Sequence, residues 1–225
     1  MKKLCLTLLV SLFVACAVQA QTRRSLSILG DSYSTFTDFV VPDTNEVWYC
    51  EANQHMTDVR RVEQTWWHQL ATMNGLKLCV NNSYSGATIS STGYNQADYT
   101  PRSFVTRLKY LGNPDVIAVF GATNDSWAGS PIGDYKYADW TKDDLKSFRP
   151  AMACLLDGLQ KHYPNVDIYF LVNCELKDEI TSSIAEVCRH YGVRYILLHD
   201  IEKQDGHPTI KGMTQIAEQV KDIIK

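Results

Sequence analysis

The sequence predicts a three-layer α/β/α sandwich built on a central parallel sheet of about five strands. Three observations carry that prediction. Short apolar runs recur along the chain, and amphipathic stretches separate them in alternation. Long polar and aromatic segments follow the first and third runs.

The runs cover residues 25–29, 76–80, 115–120, 166–172 and 193–198, and the first stops at Gly30. The last three (DVIAVF, VDIYFLV, VRYILL) are densest in β-branched and aromatic residues. Continuous apolar runs suit strands covered on both faces. Between them, helical spacing of apolar residues marks 62–73, 103–111, 142–162, 180–191 and 210–224. Asp143 and Asp144 favour a helix N-terminus for the third, and Gly192 stops the fourth. Strand and helix in alternation imply right-handed βαβ units and one sheet, flavodoxin-like in topology. Residues 33–61 and 125–140 lack periodicity, and their Tyr and Trp content predicts ordered functional loops. In such sheets a ligand crevice lies beyond the carboxyl ends of the strands, where both loops begin.

Length and charge narrow the classes of function. The chain has 225 residues, 45% hydrophobic and 21% charged, ordinary values for a buried core. A net charge of -3 and a pI of about 6.1 leave no basic footprint, so no nucleic-acid partner is expected.

The first twenty residues differ from the rest. Lys2 and Lys3 precede an apolar run over residues 4–18, and Val18 and Ala20 stand before the polar Gln21. That is the layout of a secretory signal peptide cut after Ala20, leaving residues 21–225 as a single domain. The run is short for a bilayer of about 30 Å, so no stable membrane span is expected. A second reading is a lipoprotein signal in which Cys16 is lipidated. Both readings take the domain out of the cytoplasm, secreted or periplasmic.

Beyond the signal stand Cys50, Cys79, Cys154, Cys174 and Cys188, an odd number at irregular spacings. None forms a zinc-type cluster, and neither a metal nor a cofactor is expected. Cys79 and Cys174 lie in strand-like runs, Cys154 and Cys188 in helical ones, so they read as small buried hydrophobes. Cys50, in a loop, reads as the exposed one; one disulfide is compatible with the count.

Four short motifs fall at the expected crevice. Gly30-Asp31-Ser32-Tyr33 follows the first strand and presents a hydroxyl at the sheet edge. Asn82-Ser83-Tyr84-Ser85-Gly86-Ala87 follows the second, where Gly86 allows close backbone approach with a free N–H. Gly121-Ala122-Thr123-Asn124-Asp125 follows the third and carries a side-chain amide. Asp205-Gly206-His207-Pro208 precedes the last helix and carries a candidate general base. Each alone is a common turn. His55, His68, His162, His190 and His199 have no such context.

In combination and in order, these blocks resemble the SGNH hydrolase family (GDSL-like esterases), named for the Ser, Gly, Asn and His that fall here at Ser32, Gly86, Asn124 and His207. The resemblance covers essentially the whole mature chain. It implies a serine esterase: Ser32 attacks an ester carbonyl, His207 acts as base, and the N–H groups of Ser32 and Gly86 with the Asn124 amide hold the oxyanion.

One position departs from the family. The triad acid usually stands three residues before the His, and that place holds Gln204. Asp205, two residues before, faces the same side in an extended loop and is the candidate acid. The alternative is a dyad whose ring is oriented by a backbone carbonyl or by Gln204. Asp200 and Glu202 are remoter candidates, and Asp31 and Asp125 read as loop braces.

Substrate is read from the aromatic loops. Trp127, with Tyr135, Tyr137 and Trp140, suggests an aromatic platform for a sugar, whereas Trp66 and Trp67 read as packing. A secreted esterase acting on short acyl groups, acetyl on carbohydrate first, is the leading expectation. A lysophospholipase or thioesterase, and a catalytically weak glycan-binding module, are the alternatives. The oligomeric state is left open.

Overall fold

Residues 23–225 are described by a computed structural model of the chain. The expected signal segment and Cys16 lie outside the described residues. Five strands, β1 (Ser25–Gly30), β2 (Lys77–Ser83), β3 (Val116–Gly121), β4 (Asp167–Val172) and β5 (Arg194–Leu197), form one parallel sheet in the order β2-β1-β3-β4-β5. The helices are α1 (Trp66–Met73), α2 (Phe104–Arg107), α3 (Thr123–Ala128), α4 (Phe148–His162), α5 (Asp178–Tyr191) and α6 (Ile210–Val220).

Alternation along β3 shows why the runs are continuous. Val116, Ala118 and Phe120 pack with α1 and α6, while Ile117 and Val119 point to the layer of α2, α4 and α5. Every β3 residue is buried. Each large apolar side chain so placed contributes about 1.5–3 kcal/mol, so an alternating polar pattern would leave one helical layer without a partner.

The strand order reverses at β1 and β3, since β2 lies on one side of β1 and β4 beyond β3 on the other. That reversal opens the crevice at the carboxyl ends of these strands, and all four motifs converge on it. Gly30 pairs in register with Ser83 on β2 and with Phe120 on β3, which brings the three strand ends level.

Some elements depart from the prediction. The expected loop after β3 begins with α3, and the helix expected over 142–162 starts properly only at Phe148, after a 3-10 turn at Asp144–Lys146. A two-stranded antiparallel hairpin, β6 (Lys203–Gln204) and β7 (His207–Pro208), was not anticipated. Strands of two residues are too short to show a period. Among the described residues the five cysteines are all free, but Cys79 is the exposed one, Cys50 is half-buried, and only Cys188 is buried. Cys79 is exposed because β2 is an edge strand whose first half alternates between solvent and interior. No helix among the described residues is long and apolar enough to cross a membrane, and no group of potential metal ligands occurs among them.

Candidate active site

Ser32 opens a single 3-10 turn (Ser32–Ser34) directly after β1. Asp31 caps the turn by accepting from the Tyr33 N–H at 3.0 Å, and Thr35 closes it through N–H and hydroxyl donation to the Ser32 carbonyl. The chain can turn so tightly only because residue 30 is glycine. A Cβ there would lie 2.5 Å from Ser83 Oγ and 2.6 Å from Ser34 Cβ.

Behind the turn is a buried charged layer. Arg107 is buried and donates to the carbonyls of Gly30 (3.1 Å) and Arg102 (2.7 Å), to the Asn82 side chain (2.9 Å) and to the Asn82 carbonyl. Burial pulls its guanidinium down to about 9. Burial also pushes the Asp31 carboxyl up to about 7, against the hydrogen bond from Tyr33 and the charge of Arg107. One oxygen of Asp31 has no hydrogen-bond partner among the described residues.

His207 reaches Ser32 from the far end of the sequence. Asp205 and Gly206 form the two-residue loop of the β6–β7 hairpin, both with positive φ (47° and 74°), as a type I′ turn requires. The turn directs the main-chain carbonyl of Asp205, not its carboxylate, to His207 Nδ1 at 3.0 Å. His207 Nε2 lies 2.9 Å from Ser32 Oγ. These partners assign the proton to Nδ1, which donates to the carbonyl and leaves Nε2 free to accept from the hydroxyl. In the structure the group that meets Nδ1 is thus the Asp205 main-chain carbonyl, and the Asp205 side chain is exposed, as is Gln204.

Aromatic rings enclose the imidazole. Trp48 stacks on it with centroids 3.6 Å apart and planes 9° apart. Tyr33 and Trp127 meet it edge-on at 5.4 and 6.0 Å. Tyr33 also donates its hydroxyl to the Gly206 carbonyl at 2.6 Å, bracing the hairpin. Burial pushes His207 down to about 4, with the Asp205 carbonyl pulling the other way. The ring is therefore neutral near pH 7 and able to accept a proton.

Donors gather at the ends of all three strands. Gly86, after β2, adopts φ of 77°, a conformation that glycine takes readily. The N–H groups of Ser32 and Gly86 find no acceptor among the described residues. Asn124 lies in the first turn of α3, donating one Nδ2 proton to the Ala87 carbonyl at 3.0 Å while its Oδ1 accepts from the Tyr94 hydroxyl at 2.9 Å. Nδ2 has a second proton, free for a ligand. Asp125 points away and braces the loop after β2, accepting from the N–H groups of Ile89 (2.7 Å) and Ser90 (3.1 Å) and the Ser90 hydroxyl (2.9 Å). Burial pushes its carboxyl up to about 6, against these donors.

Of the aromatic residues expected at the site, Trp127 stands there, 46% exposed. Tyr135, Tyr137 and Trp140 do not form a platform with it. Tyr137 stacks on His190 at 3.7 Å, Tyr135 lies under Arg149, and the Trp140 indole N–H donates to the Lys136 carbonyl. These rings pin the loop onto α4 and α5. Trp48 and Arg107 were not foreseen at the site, and Tyr33 was placed there by its motif but without a role. Trp48 lies in an aperiodic segment, and Arg107 in a predicted helix whose polar residues were assigned no role.

Comparison with known proteins identifies the family. The model of the GDSL-like lipase/acylhydrolase family matches residues 24–224. A search of curated proteins returns no match. Among solved structures, a protein of Bacteroides ovatus assigned as a GDSL-like lipase is 60% identical, with a TM-score of 0.88 over 90% of this chain and 98% of that one. A similarly assigned protein of Bacteroides uniformis is 52% identical, with a TM-score of 0.89 over 91% and 97%. A family two carbohydrate esterase from Clostridium thermocellum, in complex with cellohexaose, shares the fold at 17% identity and a TM-score of 0.61, over 88% of this chain and 62% of that one. With a family match over nearly all its described length and a relative of 60% identity, the chain belongs to the GDSL-like lipase/acylhydrolase family and is a serine ester hydrolase.

Proposed function

We propose that this chain is an exported esterase that removes short acyl groups, acetyl first, from carbohydrate esters through a Ser32 acyl-enzyme. The observation that carries the reading is the 2.9 Å contact between Ser32 Oγ and the unprotonated Nε2 of His207. As Oγ attacks the ester carbonyl, its proton passes to Nε2, and the developing imidazolium keeps its Nδ1–H on the Asp205 carbonyl. The Ser32 and Gly86 N–H groups and the Asn124 amide take the oxyanion. Collapse expels the alcohol, protonated by Nε2. Water then attacks the acyl-enzyme, its proton going to Nε2, and release of the acid restores Ser32.

The substrate class rests on Trp127. A half-exposed indole beside His207 offers a flat apolar face at the mouth of the site, suited to the face of a sugar ring. The test is hydrolysis of p-nitrophenyl esters of rising chain length and release of acetate from acetylated oligosaccharides. The reading predicts that the acetyl ester is preferred and that Ser32→Ala abolishes turnover. Activity that rises beyond about eight carbons would instead point to a lysophospholipase-like enzyme. Glycan binding with no turnover of any ester would point to a binding module.

A further inference from the structure

A dyad lacks the carboxylate that orients the imidazole and neutralises its cation in a full triad. The surroundings of His207 contain a replacement. The planes of Trp48 and His207 lie 9° apart with centroids at 3.6 Å, so turning the imidazole about its Cβ–Cγ bond drives its edge into the indole. The stack is anchored on both sides. The Trp48 N–H donates to Thr35 Oγ1 at 2.9 Å, and that same hydroxyl donates to the Ser32 carbonyl at 2.9 Å. The next residue, Tyr49, is buried and donates its hydroxyl to the Pro208 carbonyl at 2.9 Å. Trp48 and Tyr49 therefore grip His207 and Pro208 as one dipeptide on another, and Thr35 ties that grip to the nucleophile turn.

We propose that Trp48 is a positioning residue for His207, holding the imidazole in line with Ser32 and stabilising, with its π face, the positive charge the ring gains during proton transfer. The inference rests on the proposed Ser32–His207 chemistry. An aromatic face attracts a cation over it, most strongly when both are shielded from water. The neutral imidazole of the resting enzyme draws far less on that attraction, so the gain falls on the transition state and appears in kcat rather than KM. The other groups facing the ring do not supply it. Ser32 and Tyr33 are neutral, Trp127 meets it edge-on, and Lys203, which pairs with Glu175 at 2.8 Å, opposes the cation. The Asp205 charge favours the cation, but that side chain is exposed and its effect is screened by solvent.

The test compares Trp48→Leu and Trp48→Phe with the unaltered protein in p-nitrophenyl acetate hydrolysis near pH 8, folding being checked by circular dichroism melts. Leucine fills space without a π face, and phenylalanine restores the face. Trp48→Leu should lower kcat about tenfold with KM within about twofold, and Trp48→Phe should recover most of the loss. Equal kcat in the two variants, or a loss confined to KM, would overturn the proposal. Should the leucine variant fail to fold, Trp48→Met takes its place under the same criteria, since methionine adapts to irregular gaps. Ser32→Ala, run alongside, separates the two readings. A dead Ser32→Ala with a fully active Trp48→Leu removes only the role of Trp48. An active Ser32→Ala removes the site assignment, and the Trp48 proposal with it.

Discussion

Replacing Asp205 by Asn distinguishes a dyad from a triad with little disturbance to the fold. Asn tolerates the left-handed region as well as Asp does, so the φ of 47° and the turn should persist. The atom that orients His207 is the residue 205 carbonyl, 3.0 Å from Nδ1, and the substitution leaves it in place. What is lost is one exposed charge. Exposed charges interact with a partner by about 0–1 kcal/mol, so kcat should fall by at most about fivefold. A carboxylate that held the tautomer would instead cost about 10⁴. Steady-state kinetics on p-nitrophenyl acetate near pH 8 separates these outcomes by three orders of magnitude. A fall of a thousandfold or more in a folded Asp205→Asn protein would refute the carbonyl-oriented dyad.

The remaining predictions address the base, the oxyanion donors and the nucleophile turn. Protonation of His207 removes the base, and burial has pushed its pKa down to about 4; kcat/KM should hold on the acid side and fall only as pH approaches about 4. An acid limb near the ordinary 6.5 would show that the ring is hydrated in solution. Asn124→Ala should cut kcat by about 10²–10³ with a small change in KM, and a change confined to KM would place the amide outside the oxyanion site. Gly30→Ala should cost about 1–3 kcal/mol through its 2.5 Å and 2.6 Å clashes, read as a melting temperature roughly 3–10 °C lower; an unchanged melt would mean that the turn gives way freely.

Much of this arrangement was legible in the sequence because the physics behind it is periodic or local. A strand covered on both faces has no polar position to spare, so VIAVFG at β3 reads as a strand wherever it occurs. The expectation at Ser32, Gly86, Asn124 and His207 came from the order of four motifs and their resemblance to a family, and sheet topology carries the ends of β1, β2 and β3, with the first three motifs, to one place. What escaped depends on non-periodic contacts. The stack of Trp48 on His207 joins two loops, and no spacing encodes it. The burial of Arg107 follows from the strand-end carbonyls that it satisfies, which become visible only once β1 and β2 are paired. The hairpin at His207 did leave a signal. Asp205-Gly206 is a dipeptide favoured in type I′ turns, and reading it so would have turned the residue 205 carbonyl, rather than its carboxylate, toward the ring. The cysteines misled because apolar runs do not disclose which strand forms the edge.

Ser32 and His207, whose side chains meet at 2.9 Å, stand 175 positions apart in the chain. Synthesis must therefore pass residue 207 before the hydroxyl can meet the imidazole, and any nascent or truncated chain ending short of His207 lacks that contact. The hairpin that presents the imidazole leads straight into α6, whose cap at Thr209 and packing on α1 settle the last layer of the sandwich. The Ser32–His207 contact is thus completed together with the last helical layer, so on the proposed chemistry a chain lacking that layer should not hydrolyse esters.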